Sequence, residues 1–322
     1  MKISVAMTTY NGARYLREQL DSIFAQNRLP DEVVVCDDAS TDTTRELLRE
    51  YSARAPFPLR IVLNGKQLGS TKNFEQAIRL CSGDVIALSD QDDVWCPRKL
   101  ELFERWFEQN AEVGLVFTNG DLIDQDGSYM RGDLWTKFRF NPKLRNLLNS
   151  RSKAYDLLLS RFFVTGATIA FRSKFRSLCL PIPDGTPTFI HDRWIAVMVS
   201  AVAQVDGIEE RLISYRLHPQ QQMGVGKRSI VSRYLAPYAC SSDQTALATM
   251  RDRLASIVPN QAHPQFLSAL DIRQQHLAVR SALSSSLIGR LVYVIRECLS
   301  KRYQRYPLGR GDAVRDLLVG TR

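Results

Sequence analysis

Cysteine is scarce in the 322-residue chain and is never paired in sequence. No CxxC pair and no regular spacing occurs among the six cysteines, which are Cys36, Cys81, Cys96, Cys179, Cys240 and Cys298. A structural zinc site needs paired ligands, and a disulfide framework is typical of small secreted domains. The sequence therefore predicts neither, and apolar contexts such as EVVVCDD indicate reduced, mostly buried thiols in a cytoplasmic protein.

Long apolar runs and a dinucleotide motif are also missing. No window reaches the roughly 18 uninterrupted apolar residues that a membrane-spanning helix needs. The N-terminal MKISVAM is typical of a buried first strand and lacks the h-region of a signal peptide. We therefore expect a soluble or peripheral protein. No GxGxxG follows a predicted strand, which disfavours a Rossmann oxidoreductase.

Positive charge is in excess. The chain has 43 Lys and Arg against 34 Asp and Glu, a formal net charge of +9. Such a balance predicts an anionic partner, whether nucleic acid, an anionic membrane surface or a phosphorylated substrate, or it serves solubility alone. The hydrophobic content of 44% is enough for a sizeable core.

Strand-like and helix-like segments alternate through the first part of the chain. The predicted strands include ISVAM, DEVVVCDD, LRIVLN and DVIALSD, with helical spacing between them, as in ARYLREQLDSIFAQ. This alternation predicts an α/β fold, with a mostly parallel sheet flanked by helices. Ligands of such sheets bind beyond the carboxyl ends of the strands, and three of those ends carry the polar segments TTYNG, DDAS and SDQDD.

The pattern changes near Ser229, where Arg-rich helical segments replace the alternation. We therefore divide the chain into an α/β domain over 1–228 and a basic helical region over 229–322. Residues 290–322 hold eight Lys or Arg against three Asp or Glu. A basic amphipathic segment such as SSSLIGRLVYVIRECLSKRYQRYP is typical of a peripheral membrane helix, and equally of a helix packed on the domain or on a second copy.

Two acidic pairs lie at predicted strand ends. Asp90 and Asp92 are two positions apart, so an extended chain points both to the same side. Carboxylates in that arrangement suit Mg²⁺ or Mn²⁺ together with substrate phosphates. Asp37 and Asp38 follow another strand, where a carboxylate accepts hydrogen bonds from a base or ribose. Each pair also fits a cap of the next helix, and Asp93 fits that role best.

The chain resembles the family 2 glycosyltransferases of the GT-A fold. The matching segments are SVAMTTYNGARYLREQLDSIFAQ, EVVVCDDASTDTTRELL, NGKQLGSTKNFEQAIRLCSGDVIALSDQDDVWCPRKLE, TGATIAFRSKF and HDRW. The resemblance implies a Rossmann-like GT-A domain with a nucleotide-binding half over 1–120 and an acceptor-binding half over 121–228. It also implies an inverting, metal-dependent transfer of a sugar from a nucleotide donor.

The resemblance implies a nucleotide pocket in the first half. Thr8 and Tyr10 would line it, and Asp38 would accept a hydrogen bond from the pyrimidine ring. Lys72 and Asn73 would lie in a nucleotide-proximal loop.

The resemblance also implies which residues would bind the metal and the phosphates. Asp90 would face the ribose or the metal, and Asp92 would bind Mn²⁺ or Mg²⁺ at the diphosphate. The segment YRLH matches a YRxH piece of bacterial members, which makes His218 a candidate metal ligand and Arg216 a candidate phosphate ligand. This segment departs from the QxxRW motif of processive synthases, so we do not expect a processive polymerase.

In HDRW, Asp192 matches the catalytic base, with His191 and Trp194 near the acceptor. An inverting transfer needs one general base and a neutralised leaving group, and no covalent nucleophile. Asp192 also fits a helix cap, which is the alternative interpretation.

The segments LSDQDDVW and HDRW are most similar to rhamnosyltransferase-type members that build bacterial surface polysaccharides, O-antigen among them. The resemblance implies dTDP-L-rhamnose as donor, a glycan or lipid-linked glycan as acceptor, and a place at the inner face of the cytoplasmic membrane. A UDP-hexose or UDP-N-acetylhexosamine donor stays open. A non-catalytic nucleic-acid or membrane-binding protein is the alternative of another class, and acidic pairs in the crevice argue against nucleic acid because they would repel its phosphates.

Overall fold

The computed structural model describes residues 1–148, 151–186, 188–219, 221, 240–283, 286–300, 302–305, 313 and 316–318. The predicted domain boundary at 228/229 lies outside these residues. The described strands are β1 (Ile3–Thr9), β2 (Glu32–Asp37), β3 (Leu59–Leu63), β4 (Val85–Ser89), β5 (Val94–Trp95), β6 (Val113–Ile123), β7 (Tyr129–Asp133), β8 (Ile169–Arg172) and β9 (Gln204–Arg216).

The described helices fall into two groups. Those of the α/β part are α1 (Ala13–Phe24), α2 (Thr44–Arg54), α3 (Ser70–Leu80), α4 (Lys99–Gln109), α5 (Leu134–Lys137), α6 (Pro142–Leu148), α7 (Arg151–Ser160), α8 (Arg176–Cys179) and α9 (His191–Ser200). Those that follow are α10 (Cys240–Ile257), α11 (Pro264–Ser281), α12 (Leu287–Leu299) and α13 (Arg302–Arg305). A short 3₁₀ turn, Gly166–Thr168, precedes β8.

One sheet joins the described strands in the order β3-β2-β1-β4-β8-β6-β9-β5, with β7 paired to β6. β3, β2, β1 and β4 are parallel to one another, as the alternation predicts. In the second half β8 runs antiparallel to β4 and β6, whereas β9 runs parallel to β6. The predicted α/β fold with helices on both faces is confirmed. Parallel pairing dominates in its first half, and the second half is mixed.

The central strands are buried on both faces, which explains their continuous apolar sequence. Along β1, Ile3, Val5 and Met7 pack into a core with the apolar residues of α1. Ala6 points to the opposite face and packs into the core that includes α3 and α9. Because side chains alternate along a strand, two cores sandwich the sheet and fix its register.

Helices α10 and α11 pack on each other, and they contact α8 and α7 of the α/β part respectively. The predicted helical character after the α/β part is confirmed for the described residues. Within the described ranges, no helix has both the length and the apolar character needed to cross a membrane.

Candidate active site

A cleft of about 640 Å³ opens beyond the carboxyl ends of β1, β2 and β4. Its volume lies in the range of small-molecule sites. Ten of the twelve site residues predicted from the sequence line it, namely Thr8, Tyr10, Asp38, Lys72, Asn73, Asp90, Asp92, His191, Asp192 and His218. The other two, Arg216 and Trp194, do not line the cleft.

Asp38 lies at the end of β2 and is almost fully buried. Its carboxylate accepts hydrogen bonds from the backbone N–H groups of Leu68 and Gly69, at 2.7 and 2.8 Å. The Asn64 amide donates to it as well, at 3.0 Å. Each carboxylate oxygen has two acceptor positions, so capacity for a further donor remains. Asp38 therefore holds the loop before α3 against β2 while it faces the cleft.

Residues Lys72 and Asn73 fix the first turn of α3. The buried Asn73 amide donates to the carbonyl oxygen of Cys36 at 2.8 Å, so it ties the helix to β2. The Lys72 ammonium donates to the carbonyl oxygen of Ile182 at 2.6 Å and pairs with Glu75 at 2.9 Å. Both side chains therefore already have protein partners at the cleft wall.

The first loop of the cleft is tied to the acidic segment by Gln91, a residue that the sequence analysis missed. The Tyr10 backbone N–H donates to Gln91 Oε1 at 2.8 Å, and Gln91 Nε2 donates back to the Tyr10 carbonyl at 3.0 Å. A Cβ placed on Gly12 would lie 2.1 Å from Gln91 Oε1, so glycine is required for this approach. Gln91 has no charge or spacing signal that would mark it in the sequence.

Asp92 and His218 meet at the cleft from positions 126 residues apart. Asp92 Oδ2 lies 2.8 Å from His218 Nε2, and both side chains are mostly buried, at 15% and 6% exposure. The imidazole packs against the Tyr15 ring with a centroid distance of 4.8 Å. Among the described residues, Nδ1 of His218 has no hydrogen-bond partner. The carboxylate and the ring are thus held together as one polar pair.

Arg216 stabilises the backbone of the segment that carries Asp92. Its buried guanidinium donates to the carbonyl oxygen of Asp92 at 2.8 Å and pairs with Glu18 at 2.6 Å. Its backbone N–H donates to the carboxylate of Asp93 at 3.0 Å. These bonds direct the guanidinium into the protein, where it braces the acidic loop. They also correct the expectation for Asp93: helix α4 begins at Lys99, and Asp93 accepts from Arg216 instead of capping it.

A buried ammonium lies beneath the acidic segment. Lys99 Nζ donates to the Ala167 carbonyl oxygen at 2.6 Å and lies 3.9 Å from the centre of the Trp95 ring. Burial lowers the pKa of Lys99 to about 7, and the nearby Asp93 and Asp90 oppose that shift. Burial also raises the pKa of Asp93 well above its usual value. The sequence analysis did not single out Lys99.

Asp192 lies in the first turn of α9 and lines the cleft. Its carboxylate accepts from the backbone N–H of Arg193 at 2.6 Å and from that of Gly166 at 3.2 Å. Burial raises the pKa of Asp192 to about 7, although both N–H groups favour the charged form. The residue preceding the helix is Ile190, so Asp192 is not its N-cap.

The Asp192 carboxylate acts electrostatically on Asp90, in the acidic segment that follows β4. Burial raises the pKa of Asp90 to about 8, and repulsion from Asp92 and Asp192 adds to the shift. Asp92 and Asp192 therefore both oppose the ionisation of Asp90 in one cleft. A bound cation would relieve that repulsion.

Of the residues near Asp192 in the sequence, His191 lines the cleft and Trp194 lies in the core. The His191 ring stacks on Phe74 at 4.2 Å, and burial lowers the pKa of His191 to about 3, which keeps it neutral. A Cβ on Gly166 would lie 2.7 Å from His191 Nε2, so the 3₁₀ turn approaches as closely as glycine permits. Trp194 is fully buried in the core, and its indole N–H donates to the Cys179 carbonyl oxygen at 2.7 Å.

Metal ligands are few. Within the described part of the chain, no group of three or more His, Cys, Asp or Glu side chains is arranged to hold a metal ion. The Asp92–His218 pair offers one oxygen and one nitrogen donor. Such a donor set suits Mn²⁺ when substrate phosphates and water complete the coordination.

The fold places a polar cleft at the carboxyl edge of an α/β sheet, and sequence comparison identifies the family. Residues 4–178, more than half of the chain, match the model of glycosyl transferase family 2. The chain therefore belongs to glycosyl transferase family 2.

Two relatives align with about two thirds of the chain. An uncharacterized glycosyltransferase of Nostoc sp. is 27% identical over 218 residues, 68% of this chain and 65% of the relative. An uncharacterized protein of Mycobacterium tuberculosis is 29% identical over 220 residues, 67% of this chain and 59% of the relative. The matched region thus spans less than two thirds of the length of either relative.

Two solved structures share the fold. One is S. aureus TarS 1–349 in complex with UDP, with a TM-score of 0.57 and 17% identity, covering 94% of this chain and 78% of that chain. The other is a mannosyltransferase from Pyrobaculum calidifontis in complex with GDP-Man and Mn²⁺, with a TM-score of 0.52 and 19% identity, covering 98% and 87%. They confirm the predicted GT-A fold.

Proposed function

We propose that the cleft transfers a sugar, with inversion, from a nucleoside diphosphate donor to an acceptor hydroxyl. The observation that carries the proposal is the arrangement of Asp192 and the Asp92–His218 pair in one cleft at the carboxyl edge of the sheet. Asp192 supplies a buried carboxylate with a pKa of about 7, and the Asp92–His218 pair supplies donor atoms for a cation. An inverting transfer needs both.

Asp192 acts as the general base in this proposal. It takes the proton of the acceptor hydroxyl while that oxygen bonds to the anomeric carbon and the bond from that carbon to the diphosphate breaks. A pKa near the working pH balances ionisation against basicity, and general-base catalysis contributes about 10²- to 10⁴-fold. The N–H groups of Gly166 and Arg193 hold the carboxylate in one orientation.

The cation site in this proposal consists of Asp92 and His218, with Mn²⁺ or Mg²⁺ as cofactor. When bound, the cation supplies positive charge to the departing diphosphate. Arg216 fixes the backbone of Asp92, and Tyr15 packs on the His218 ring, so both donors have a defined position. A mannosyltransferase of the same fold has been solved with GDP-Man and Mn²⁺, which supports this role.

The nucleotide lies along the ends of β1 and β2 in this proposal. Thr8 and Tyr10 form one wall, and Asp38 accepts from the base through its free acceptor capacity. Asp90 lines the same cleft, close enough to Asp92 and Asp192 to feel their charge, and in this proposal it contacts the ribose or the cation. Lys72 and Asn73 lie in the first turn of α3, not in a loop, and their contacts with Ile182 and Cys36 fix that turn at the cleft.

For the donor we propose dTDP-L-rhamnose, with UDP-hexose and UDP-N-acetylhexosamine as alternatives. The acceptor is a glycan or lipid-linked glycan of bacterial surface polysaccharide, met at the cytoplasmic face of the membrane. The sequence similarity to rhamnosyltransferase-type members supports the first donor. A TarS structure in complex with UDP-GlcNAc supports the last alternative, since it shares the fold.

A donor screen tests the proposal. The protein is incubated with dTDP- and UDP-sugars in Mn²⁺, where water serves as the acceptor, and the nucleotide released by hydrolysis is measured. We expect release from dTDP-rhamnose above that from the UDP-sugars, loss of release with EDTA, and loss in Asp92→Ala. The matched control is Glu108→Ala, which removes an exposed carboxylate from α4, outside the cleft. A UDP-sugar preference contradicts the rhamnose assignment, and release from no donor contradicts the activity.

A further inference from the structure

Helix α12 presents its apolar side to the outside of the molecule. Six large aliphatic side chains on it are between 45% and 78% exposed, namely Leu287, Ile288, Leu291, Val292, Ile295 and Leu299. At 3.6 residues per turn they occupy a single arc of roughly 140°. A surface helix of a globular protein normally turns such an arc to the core. Contiguous exposed apolar patches of this kind mark interaction sites.

The inner side of the same helix carries two buried residues, Val294 and Glu297. Glu297 is fully buried, and its carboxylate lies 2.9 Å from His276 Nδ1 and 2.8 Å from Arg302 Nη1. Turning the apolar arc inward would move Glu297 away from His276 and Arg302. Separating a buried charge from its partners is strongly destabilising. The outward orientation of the aliphatic residues is therefore set by the structure.

Charge selects the partner for this face. In sequence, residues 286–305 contain five Lys or Arg and a single acidic residue, Glu297, which is buried and paired. A second copy docked on the same face would bring two such basic segments together in a chain that already carries a net charge of +9. An anionic lipid surface accepts both the aliphatic arc and the basic residues.

We propose that α12 lies in the interface of an anionic bilayer, with its six aliphatic side chains at the acyl boundary and the exposed Arg296, about 40° beyond the arc, at the headgroups. The helix has 13 residues and so is about 20 Å long, which suits an orientation in the membrane plane. The buried Glu297 group then anchors the helix to α11 and holds the protein at the surface. This proposal does not depend on the identity of the donor.

Vesicle flotation tests this surface. The full chain is mixed with vesicles of phosphatidylcholine alone, or of equal parts phosphatidylcholine and phosphatidylglycerol, and the floated fraction is measured. We expect binding to the anionic vesicles and a decrease with added salt. The double variant Ile288→Gln/Ile295→Gln should lose partitioning by on the order of tenfold or more, because it removes two apolar side chains from the arc.

The matched control is Met130→Gln, which changes an exposed apolar residue on β7 and should leave flotation unchanged. Thermal unfolding of both variants should match the wild type, because the substituted side chains are exposed. Equal flotation of the wild type and the double variant overturns the proposal, as does a lack of binding to anionic vesicles. A dimer in sedimentation that the double variant disperses, with no flotation, also overturns it in favour of a second copy.

Discussion

The pH dependence of turnover follows from the burial of Asp192. With a pKa of about 7, roughly half of the carboxyls are ionised at pH 7 and about one in a hundred at pH 5. The base must be ionised to accept a proton, so kcat/KM should rise about tenfold per pH unit up to pH 7 and then level off. A carboxyl with the ordinary pKa of 3.8 would give a flat profile over this range.

The same shift predicts an effect on stability with a defined sign. The folded-state pKa is raised above 3.8, so the folded protein binds the proton more tightly and stability falls as pH rises from about 4 to about 7. A shift of about three units corresponds to roughly 4 kcal/mol once the carboxyl is ionised. Asp192→Asn removes that penalty, so the variant should unfold at a higher temperature than the wild type at pH 8 and near the wild-type temperature at pH 5.

Steady-state nucleotide release from pH 5 to 8.5 and thermal unfolding at pH 5 and 8 measure both effects. Asp192→Asn should lose about 10²- to 10⁴-fold in kcat. Its nucleotide affinity should stay unchanged, because the Asp92–His218 pair is intact. Glu108→Gln, an exposed carboxyl on α4, is the control. A flat pH profile for the wild type, or full turnover by Asp192→Asn, refutes the assignment of the base.

Two further variants distinguish a residue that stabilises the fold from one that shapes the binding site. Trp194→Ala removes a fully buried indole and its hydrogen bond to Cys179, so it should destabilise the protein by about 3–5 kcal/mol in denaturant unfolding. Nucleotide binding at low temperature should persist, and its selective loss with unchanged stability would contradict the core position. Gly12→Ala places a Cβ 2.1 Å from Gln91 Oε1, so it should separate the two cleft loops. We expect roughly tenfold weaker nucleotide binding in titrations, a loss of about 1.4 kcal/mol, and unchanged affinity would contradict the role of Gln91.

The sequence predicted the elements and the strand-end residues well, because both depend on local pattern. Period-2 and period-3.6 spacing gave the order of strands and helices, and the ends of parallel strands share one edge of the sheet. That rule brought Thr8, Asp38 and Asp90 to one cleft.

Partnerships across long sequence separations could not be predicted. Arg216 has charge and a position beside His218 that suit a phosphate ligand, but its guanidinium pairs with Glu18, 198 residues away. Trp194 follows Asp192 by two positions, which is about 200° around a helix, so the two face opposite sides. Since α9 is buried on all sides, the sequence did not show which side met the cleft.

The C-terminal helices illustrate the same limit. The apolar stripe of α12 was visible in the sequence, but its outward orientation depends on a buried contact between Glu297 and His276 on another helix. Within that stripe Val294 turns inward and is buried, whereas Leu291 and Ile295 are exposed.

Calorimetric titration with dTDP and UDP tests most directly whether the cleft binds a nucleoside diphosphate through a cation held by Asp92 and His218. We predict binding in the presence of Mn²⁺, its loss with EDTA, and its loss in Asp92→Asn, with Glu108→Gln binding as the wild type does. Equal binding with EDTA, or by Asp92→Asn, would contradict the cation site. No binding of either nucleotide under any of these conditions would contradict the assignment of the cleft itself.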